Sequence, residues 1–456
     1  MLERFWEWAR RLFGRGAQLS GAAAMAARAE ADYRRADGVN LTCIFASRLA
    51  SIAMSDAALN ISGPRGGERT PRAAAVAEAL EDVFSRAQSL TAQALGTGGR
   101  VLLPCVADGK VRFQAVGQDR FFVTATRGGQ ITAATVLAGR TEVDGHTYYR
   151  WTAYALENGV QTISTRVTDA SGHVVPPETA PQWAGLAGDV AIAGVERLTL
   201  AFLRSPADDR REGGVYGVPI TYGCEALMRE IHEHMRLIGR EYRLTRPMLG
   251  LSAEMWRDPF DGGETGIARV RRTVQDGEEP FIPIEGAYDE GKTPWLVYAP
   301  EIRHEAMYAR LDRLFALLEK AVGTSRGILT APETGAATAT EIRAANHDTF
   351  ALVSAIRRMW EAALADMACA ADVLCEFYGL TPRGARGEYA VGVDWDMSLF
   401  ESSQESFSQL CELHDRGLLS GAELRQWVRG GTLAEAEEAV GKVDREGRSA
   451  PDNTRR

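Results

Sequence analysis

The sequence lacks several features that would point directly to a function. Its 456 residues include six cysteines and seven histidines, and no cysteines have the spacing of a zinc site. No run of 18 apolar residues is present, so no membrane-spanning helix is expected. Charged residues such as Glu3, Arg4 and Glu7 interrupt the apolar core that a signal peptide needs. We therefore expect a soluble chain whose thiols stay reduced.

An excess of basic charge is also absent. Lys and Arg number 52 against 61 Asp and Glu, which gives a formal net charge of −9. Proteins that grip the phosphate backbone through bulk charge are usually basic, so tight duplex binding of that kind is not expected. With 45% hydrophobic and 25% charged residues, the chain has an ordinary globular composition. Its length predicts roughly three domains.

Motifs of enzymes are missing too. No Walker A loop, Rossmann fingerprint, GxSxG or kinase motif set occurs. His232 and His234 stand two apart, about 200° around a helix, which favours solvated or interfacial histidines over a metal site. Asp258, Asp261 and Glu264 could hold a cation, but they lack the EF-hand pattern and favour a polar turn. We therefore expect no enzyme activity, no catalytic residue, no metal and no cofactor.

Hydrophobic periodicity predicts helices and then strands in the first half of the chain. The helices are predicted at residues 2–13, 22–35, 39–54 and 72–95. The last one ends in Gly96–Gly99, which is typical of a helix end and turn. The period then becomes two, and strands are predicted at 100–106, 111–116, 120–126, 130–138, 146–156 and 162–169. Asp-Gly and Gly-Gly pairs between them predict an antiparallel meander, so the fold class is α+β.

The second half of the chain has longer helices. Residues 221–240 and 300–322 carry apolar stripes, and about 60 residues rich in Gly, Pro and charge separate them, with strand-like segments at 269–274 and 280–284. This pattern predicts an antiparallel helical pair with a compact insertion at its tip. Small residues follow at 324–339. A helix at 341–378 that Gly379 ends, a strand at 388–395 and a helix at 402–416 complete the pattern.

This order of elements resembles tailed-bacteriophage portal proteins, most closely the group from phages of Gram-positive hosts. Gly335–Ile342 (GAATATEI) is similar to the T-A-T-E stretch that opens the long wing helix of that family, although Ala336-Ala337 replaces the more usual Lys. Segments Phe5–Phe13, Leu95–Pro104 and Asp394–Phe400 also look like that group. The resemblance covers residues 5 to about 430 and rests on element order and short motifs.

The resemblance implies a portal fold with a wing of helices and antiparallel sheet, a two-helix stem, a small α/β clip, a long wing helix and a reduced helical crown. The implied segments are wing 1–220, first stem helix 221–240, clip 241–300, second stem helix 301–323, tunnel loop 324–340, long wing helix with returning strand 341–401, and reduced crown with C-terminal tail 402–456.

The resemblance also implies a function. A homo-oligomeric ring, usually a dodecamer, would assemble in the host cytoplasm and occupy one capsid vertex of the virion. Double-stranded DNA would pass through it during packaging and ejection. The expected partners are the terminase large subunit, a head-completion adaptor and the major capsid and scaffolding proteins, with no membrane.

Three groups of residues are the candidates for these roles. The tunnel-loop residues expected to face DNA are Arg326, Thr330, Ala331, Pro332, Glu333, Thr334 and Gly335. The clip residues expected to dock terminase or adaptor are Arg257, Asp258, Asp261 and Glu264. The residues expected to pack between subunits, because one partner helix cannot cover the whole apolar stripe, are Met307, Leu311, Leu314, Leu318 and Trp360.

Alternatives remain for each part. The loop could be a plain linker, and the long helix could be the core of an ordinary helical domain. The N-terminal helix could bind a membrane surface or partner, although packing on its own or a neighbouring subunit is favoured. Another minor capsid or connector protein, or a hydrolase without a recognisable motif, is the competing function. In a ring, the negative charge predicts DNA that is passed through rather than held.

Overall fold

The computed structural model describes residues 21–35, 38–186, 188–210, 214–245, 248–252, 281–284, 295–298, 301, 303–331, 339–382, 386–395, 410–429 and 440. The chain forms two compact units. The first comprises Met1–Ala50, Ser89–Leu103 and Gln114–Glu333, and the second Ser51–Gln88, Pro104–Phe113 and Thr334–Arg456. The predictions for helix 2–13, segment 269–274 and most of 402–456 lie outside the described residues.

The architecture is a mixture of helices and antiparallel sheet, which confirms the α+β class. The helices with defined ends are α1 (Gly21–Arg34), α2 (Leu41–Ala53), α3 (Pro71–Phe84), α4 (Ala87–Thr97), α5 (Glu225–Leu244), α6 (His304–Val322), α7 (Ala339–Phe377) and α8 (Gly421–Arg429). None of the helices in the described ranges is both long enough and apolar enough to span a bilayer.

The strands lie mainly between α4 and α5. They are β1 (Ala58–Ser62), β2 (Gly99–Ala107), β3 (Lys110–Gly117), β4 (Phe121–Arg127), β5 (Gln130–Val143), β6 (His146–Glu157), β7 (Val160–Asp169), β8 (Val174–Val175), β9 (Asp189–Ala193), β10 (Ala201–Arg204), β11 (Met248–Ser252), β12 (Phe281–Ile284), β13 (Trp295–Tyr298) and β14 (Ala390–Asp394). The six strands predicted from period-two patterning are therefore present as β2 to β7.

The prediction of a single meander is wrong for its first two strands, because β2 and β3 pair with β10 in a separate three-stranded sheet. The largest sheet contains the other four predicted strands. Its strand order is β4-β5-β6-β7-β8, and β9 also pairs with β7. The turns at Asp144-Gly145 and Asn158-Gly159 have positive φ at both central residues (51° and 76° in each), as a tight antiparallel hairpin requires. Alternate residues of a strand share a face, and Phe121, Val136 and Tyr154 accordingly meet in one buried cluster.

The prediction of one continuous helix over 72–95 is wrong, because the chain forms two helices there, α3 and α4. The break falls at Ser85 and Arg86. The Ser85 hydroxyl donates to the Asp82 carbonyl at 2.8 Å, and the Arg86 N–H bonds to Val83 O, three residues back, at 3.0 Å. Such local hydrogen bonds compete with the regular helical pattern and end α3 without any glycine or proline.

The second unit is built around α7, which has 39 residues. Trp360 is fully buried, and its ring meets that of Phe84 on α3 edge to face, with the centroids 5.8 Å apart. Arg357, which interrupts the apolar stripe of the sequence, is 5% exposed. Its guanidinium lies over the Trp395 ring at 5.2 Å, and its Nε donates to Ala53 O at 3.4 Å. A charged residue on the stripe is therefore part of the core.

A buried ion pair joins α3 to α7. Arg72 donates through Nε to the Asp372 carboxylate and through Nη2 to Glu376 at 2.9 Å. The backbone N–H of Gly387 donates to Asp372 Oδ2 at 2.9 Å. Arg386 bonds to Glu376 at 2.7 Å, so hydrogen bonds from Arg386 and then from Arg72 lower the pKa of Glu376. The network holds the two helices and the segment before β14 in one arrangement.

The segment between α5 and α6 carries its own small sheet. Its middle strand, β11, pairs in parallel with β12 and antiparallel with β13. The predicted strand at 280–284 corresponds to β12. Helix α5 begins at Glu225 and continues to Leu244, four residues beyond the predicted boundary at 240, because Gly239 in a continuous hydrogen-bond ladder does not end a helix.

Candidate functional site: the helix pair and the segment that follows it

Helices α5 and α6 of the first unit pack as an antiparallel pair. An ion pair joins Arg303 to Glu241 at 3.5 Å near one end, and another joins Arg310 to Glu230 at 3.0 Å farther along. The residue number rises on one helix as it falls on the other, which defines the antiparallel direction. Such exposed ion pairs contribute roughly 0 to 1 kcal/mol each, so they set the register rather than the stability of the pair.

The two histidines of α5 face opposite neighbours. His232 Nε2 lies 2.7 Å from Val39 O, before α2, and His234 Nε2 lies 2.9 Å from Met307 O on α6. A carbonyl oxygen only accepts, so each imidazole carries its proton on Nε2. The spacing of two residues thus ties α5 to both of its neighbours. No group of three or more potential metal ligands occurs among the residues described.

Most of the apolar stripe on α6 is covered inside the chain. Leu314 and Leu318 are buried, as are Ile231 and Ile238 of α5. Trp360, also expected to pack between subunits, is fully buried in the second unit. Met307 and Leu311 are half-buried. Of the five residues predicted for subunit packing, only these last two keep surface that another subunit could cover.

Four other large apolar or aromatic side chains of the pair are exposed. They are Leu237, Tyr242, Tyr308 and Leu317, with exposed fractions of 46%, 41%, 49% and 55%. A hydrogen bond with the Tyr308 hydroxyl raises the pKa of Tyr242, so the two phenols meet across the pair. Tyr308 lies on the apolar stripe predicted for residues 300–322. Sequence reasoning missed the other three residues because it searched for one regular stripe on each helix, and they lie off it. These four side chains make up the exposed apolar surface of the helix pair, which has more than one face because Tyr308 and Leu317 stand nine residues apart, about 180° around α6.

The end of α6 is closed by a glycine motif. Gly323 has φ +85°, its N–H bonds to Lys320 O at 3.2 Å, and the Thr324 N–H bonds to Glu319 O at 2.9 Å. These two bonds define a Schellman motif, in which a left-handed residue turns the chain back along the helix. The chain therefore leaves α6 in a direction that brings residues 324–331 beside its last turns.

The Glu319 carboxylate binds this returning segment. Its Oε1 accepts the backbone N–H groups of Gly327, Ile328, Leu329 and Thr330 at 3.3, 2.8, 2.6 and 3.1 Å. Its Oε2 accepts the Thr330 hydroxyl at 2.7 Å. Glu319 is 1% exposed. Five donors converge on one buried carboxylate, and converging N–H groups of this kind stabilise a negative charge without a cation. We call this arrangement the carboxylate anchor.

The anchor changes what the predicted tunnel-loop residues can do. Thr330 is 7% exposed, and its hydroxyl is bound by Glu319, so this side chain belongs to the interior of the unit. Arg326 is exposed and pairs with Asp312 at 2.9 Å, and Ala331 is exposed. Pro332, Glu333, Thr334 and Gly335 lie outside the described residues, as do the clip residues Arg257, Asp258, Asp261 and Glu264.

A basic groove lies on the other side of α5. It has a volume of about 780 Å³ and lies between α1, residues 38–42 and α5. Its arginines are Arg28, Arg35, Arg229, Arg236 and Arg243, and its carboxylates are Asp32, Glu225 and Glu233. Five positive side chains against three negative ones make this surface locally basic on a chain whose net charge is −9. The acidity of the protein is therefore unevenly distributed.

Comparisons with known proteins do not assign the chain to a family. No family model and no curated protein matches the chain. One solved structure with similarity to it belongs to the virion of a native gene transfer agent particle, with a TM-score of 0.35 and 12% sequence identity, covering 91% of this chain and 97% of the other. A TM-score this low does not establish a shared fold.

Proposed function

We propose that this chain is a portal protein, a subunit of a homo-oligomeric ring at one vertex of a phage-like capsid. The ring is the channel through which double-stranded DNA is packaged and ejected. In this proposal α5 and α6 are the stem, and the insertion with β11–β13 is the clip that meets terminase and adaptor. Segment 324–340 contains the loop that surrounds DNA, and its first part is held against α6 by Glu319.

The observation that carries the proposal is the order and form of these elements. An antiparallel helix pair bears a small sheet between its two members. A returning segment follows, and then a helix of 39 residues. The T-A-T-E motif of the sequence stands at the start of that helix, where the portal resemblance expects it.

The exposed apolar surface of the pair supports oligomerisation. Leu317 and Tyr308 are about half exposed, and Met307 and Leu311 on the same helix are half-buried. Removing apolar surface from water contributes about 25 cal/mol per Å², against which the entropic cost of association is set. A ring that packs pairs side by side covers this surface in every subunit, whereas a monomer leaves it in water.

The proposal assigns the chain no catalysis of its own. The motor activity belongs to a separate terminase, and this chain contributes shape and contacts. Its negative charge favours transit of DNA over retention, because phosphates are held by Lys and Arg.

Native mass spectrometry and negative-stain imaging of the purified chain test the ring. We expect assemblies many times the 49.6 kDa of one subunit. L317E should shift them toward monomers, because it places a charge in an apolar contact. V174E is the matched control, since Val174 is similarly exposed (49%) but lies in the meander sheet. Monomers of the wild-type chain under all assembly conditions would contradict the proposal.

Imaging of particles separates the portal from other capsid or connector proteins. A label on this chain should mark a single vertex. Labels distributed over many vertices would favour a minor capsid protein instead.

A further inference from the structure

We propose that Glu319 is the positioning residue that fixes the segment after α6, and with it the point at which the chain enters residues 332–338. The structural part of this inference concerns residues 319–331 alone. Its consequence for DNA passage rests on the proposed portal function.

The geometry of the anchor requires a side chain at position 319 whose two oxygens both accept hydrogen bonds. Four backbone N–H groups and one hydroxyl donate to the two carboxylate oxygens, and none of these contacts asks Glu319 to donate. A glutamine places an NH₂ group where one of the oxygens stands, and an alanine removes both acceptors. Hydrogen bonds to a charged group are about twice as strong as neutral ones.

The same residue also contributes its backbone to the turn. Glu319 O accepts the Thr324 N–H at 2.9 Å and the Thr324 hydroxyl at 3.1 Å. Backbone and side chain of one residue thus bind both ends of the segment, Thr324 at its start and Thr330 near its end. The segment is held as a closed turn because these hydrogen bonds all return to one helical residue, Glu319.

The segment also makes one exposed ion pair with α6, which differs from the buried carboxylate anchor. Arg326 and Asp312 form their ion pair at 2.9 Å, with side chains 40% and 52% exposed. Solvent screens such a pair, and its loss is expected to change little. We therefore infer that Glu319, and not Asp312, fixes the position of the segment. Asp312 lies on the same helix and provides a matched control.

Amide hydrogen exchange measures the anchor directly. In E319A, the amides of residues 327–330 should exchange about tenfold faster or more, because their acceptor is gone. E319Q should show a smaller increase at the same amides. D312N should leave their exchange within about twofold of the wild-type rate. Unchanged exchange in E319A, or an equal increase in D312N, would overturn the inference.

A second variant keeps the test decisive if E319A does not fold. T330V removes only the hydroxyl donor to Oε2 and leaves the four N–H contacts in place. It should accelerate exchange at residue 330 and leave residues 327–329 nearly unchanged. Equal acceleration at all four amides would show that the hydroxyl, and not the carboxylate, holds the segment.

DNA packaging tests the consequence separately. Rings of E319Q should form as in the wild type but package or retain less DNA, while D312N rings package normally. Normal packaging by E319Q rings with faster exchange overturns the consequence for DNA passage and leaves the anchor standing. Absence of any ring in the wild type contradicts the portal function, and the exchange data alone then decide on the anchor.

Discussion

Two buried carboxylates of this protein are stabilised in opposite ways. Glu319 in the first unit is 1% exposed and is surrounded by the N–H groups of one returning segment. Asp372 in the second unit is 3% exposed and is paired with the guanidinium of Arg72. The N–H groups belong to consecutive backbone positions, so Glu319 determines a local turn. The guanidinium belongs to another helix, so Asp372 determines how α3 packs on α7.

This difference predicts which substitution lowers the free energy of unfolding more. Of the backbone N–H donors to Glu319, those of the exposed Gly327 and the half-buried Leu329 can turn toward water when the acceptor is lost. A buried carboxylate that loses its cation keeps its charge in a medium of low polarity. We therefore expect substitutions at the ion pair to destabilise more than substitutions at the carboxylate anchor.

The largest effect is expected for R72M. Removing the cation leaves Asp372 with the Gly387 N–H as its remaining donor of the network and should lower the free energy of unfolding by about 3–5 kcal/mol. Urea unfolding measures this. The double variant R72M/D372L should recover most of the loss, because removing both charges is often nearly neutral. If the double variant is as unstable as the single one, packing and not charge explains the effect.

A smaller effect is expected for E319A. The loss of the shared carboxylate should lower the free energy of unfolding by about 2 kcal/mol, less than the sum of five separate hydrogen bonds because water can replace part of them. Urea unfolding of E319A and E319Q, followed by a probe in the first unit, measures the difference. A loss larger than that of R72M would reverse the comparison.

A still smaller effect is expected for G323A. An added Cβ at Gly323 meets nothing within 4 Å, so the change reports only the left-handed conformation at φ +85°. The expected destabilisation is about 1 kcal/mol. G239A is the control, because Gly239 lies inside α5 with equally free space. Alanine there should stabilise by roughly 0.5–1 kcal/mol, and thermal unfolding should show shifts of opposite sign.

The smallest effect concerns pH. The pKa of Glu376 is lowered from its ordinary value of 4.5 by Arg386 first and Arg72 next. Its contribution to stability is therefore complete above pH 4.5 and is lost as the pH falls through the lowered pKa. The side chain is 44% exposed, so less than about 1 kcal/mol is expected. Unfolding free energies of wild type and E376Q should differ at pH 6 and converge toward pH 3.

Some of the fold follows from local patterns. The long helix is predicted by a 3-4 spacing that only Arg357 interrupts, and its end at Gly379 is confirmed by a φ of +62°. The hairpin turns at Asp144-Gly145 and Gly128-Gly129 also follow from residue type, since both have positive φ at each position. Such predictions succeed because the signal lies within a few consecutive residues.

Other features gave no recognisable signal in the sequence, whether their partners lie close by or far along the chain. Glu319 in the sequence looks like an ordinary charged residue on a helix surface, and Arg357 looks like an interruption of an apolar stripe. The break at Ser85 has neither glycine nor proline. Leu314 and Leu318 were expected at a subunit contact, yet the chain buries them itself. Periodicity identifies an apolar face but does not identify the surface that covers it.

By itself the sequence determines the order of helices and strands, the α+β class and the position of the main turns, because hydrophobic period and glycine placement act locally. Only the tertiary structure decides which charges are buried, which apolar side chains stay exposed on the helix pair, and how the segment after α6 is held. Those outcomes depend on which groups come to satisfy a buried carboxylate once the chain is folded, since Glu319 is satisfied by backbone N–H groups while Asp372 is satisfied by an arginine.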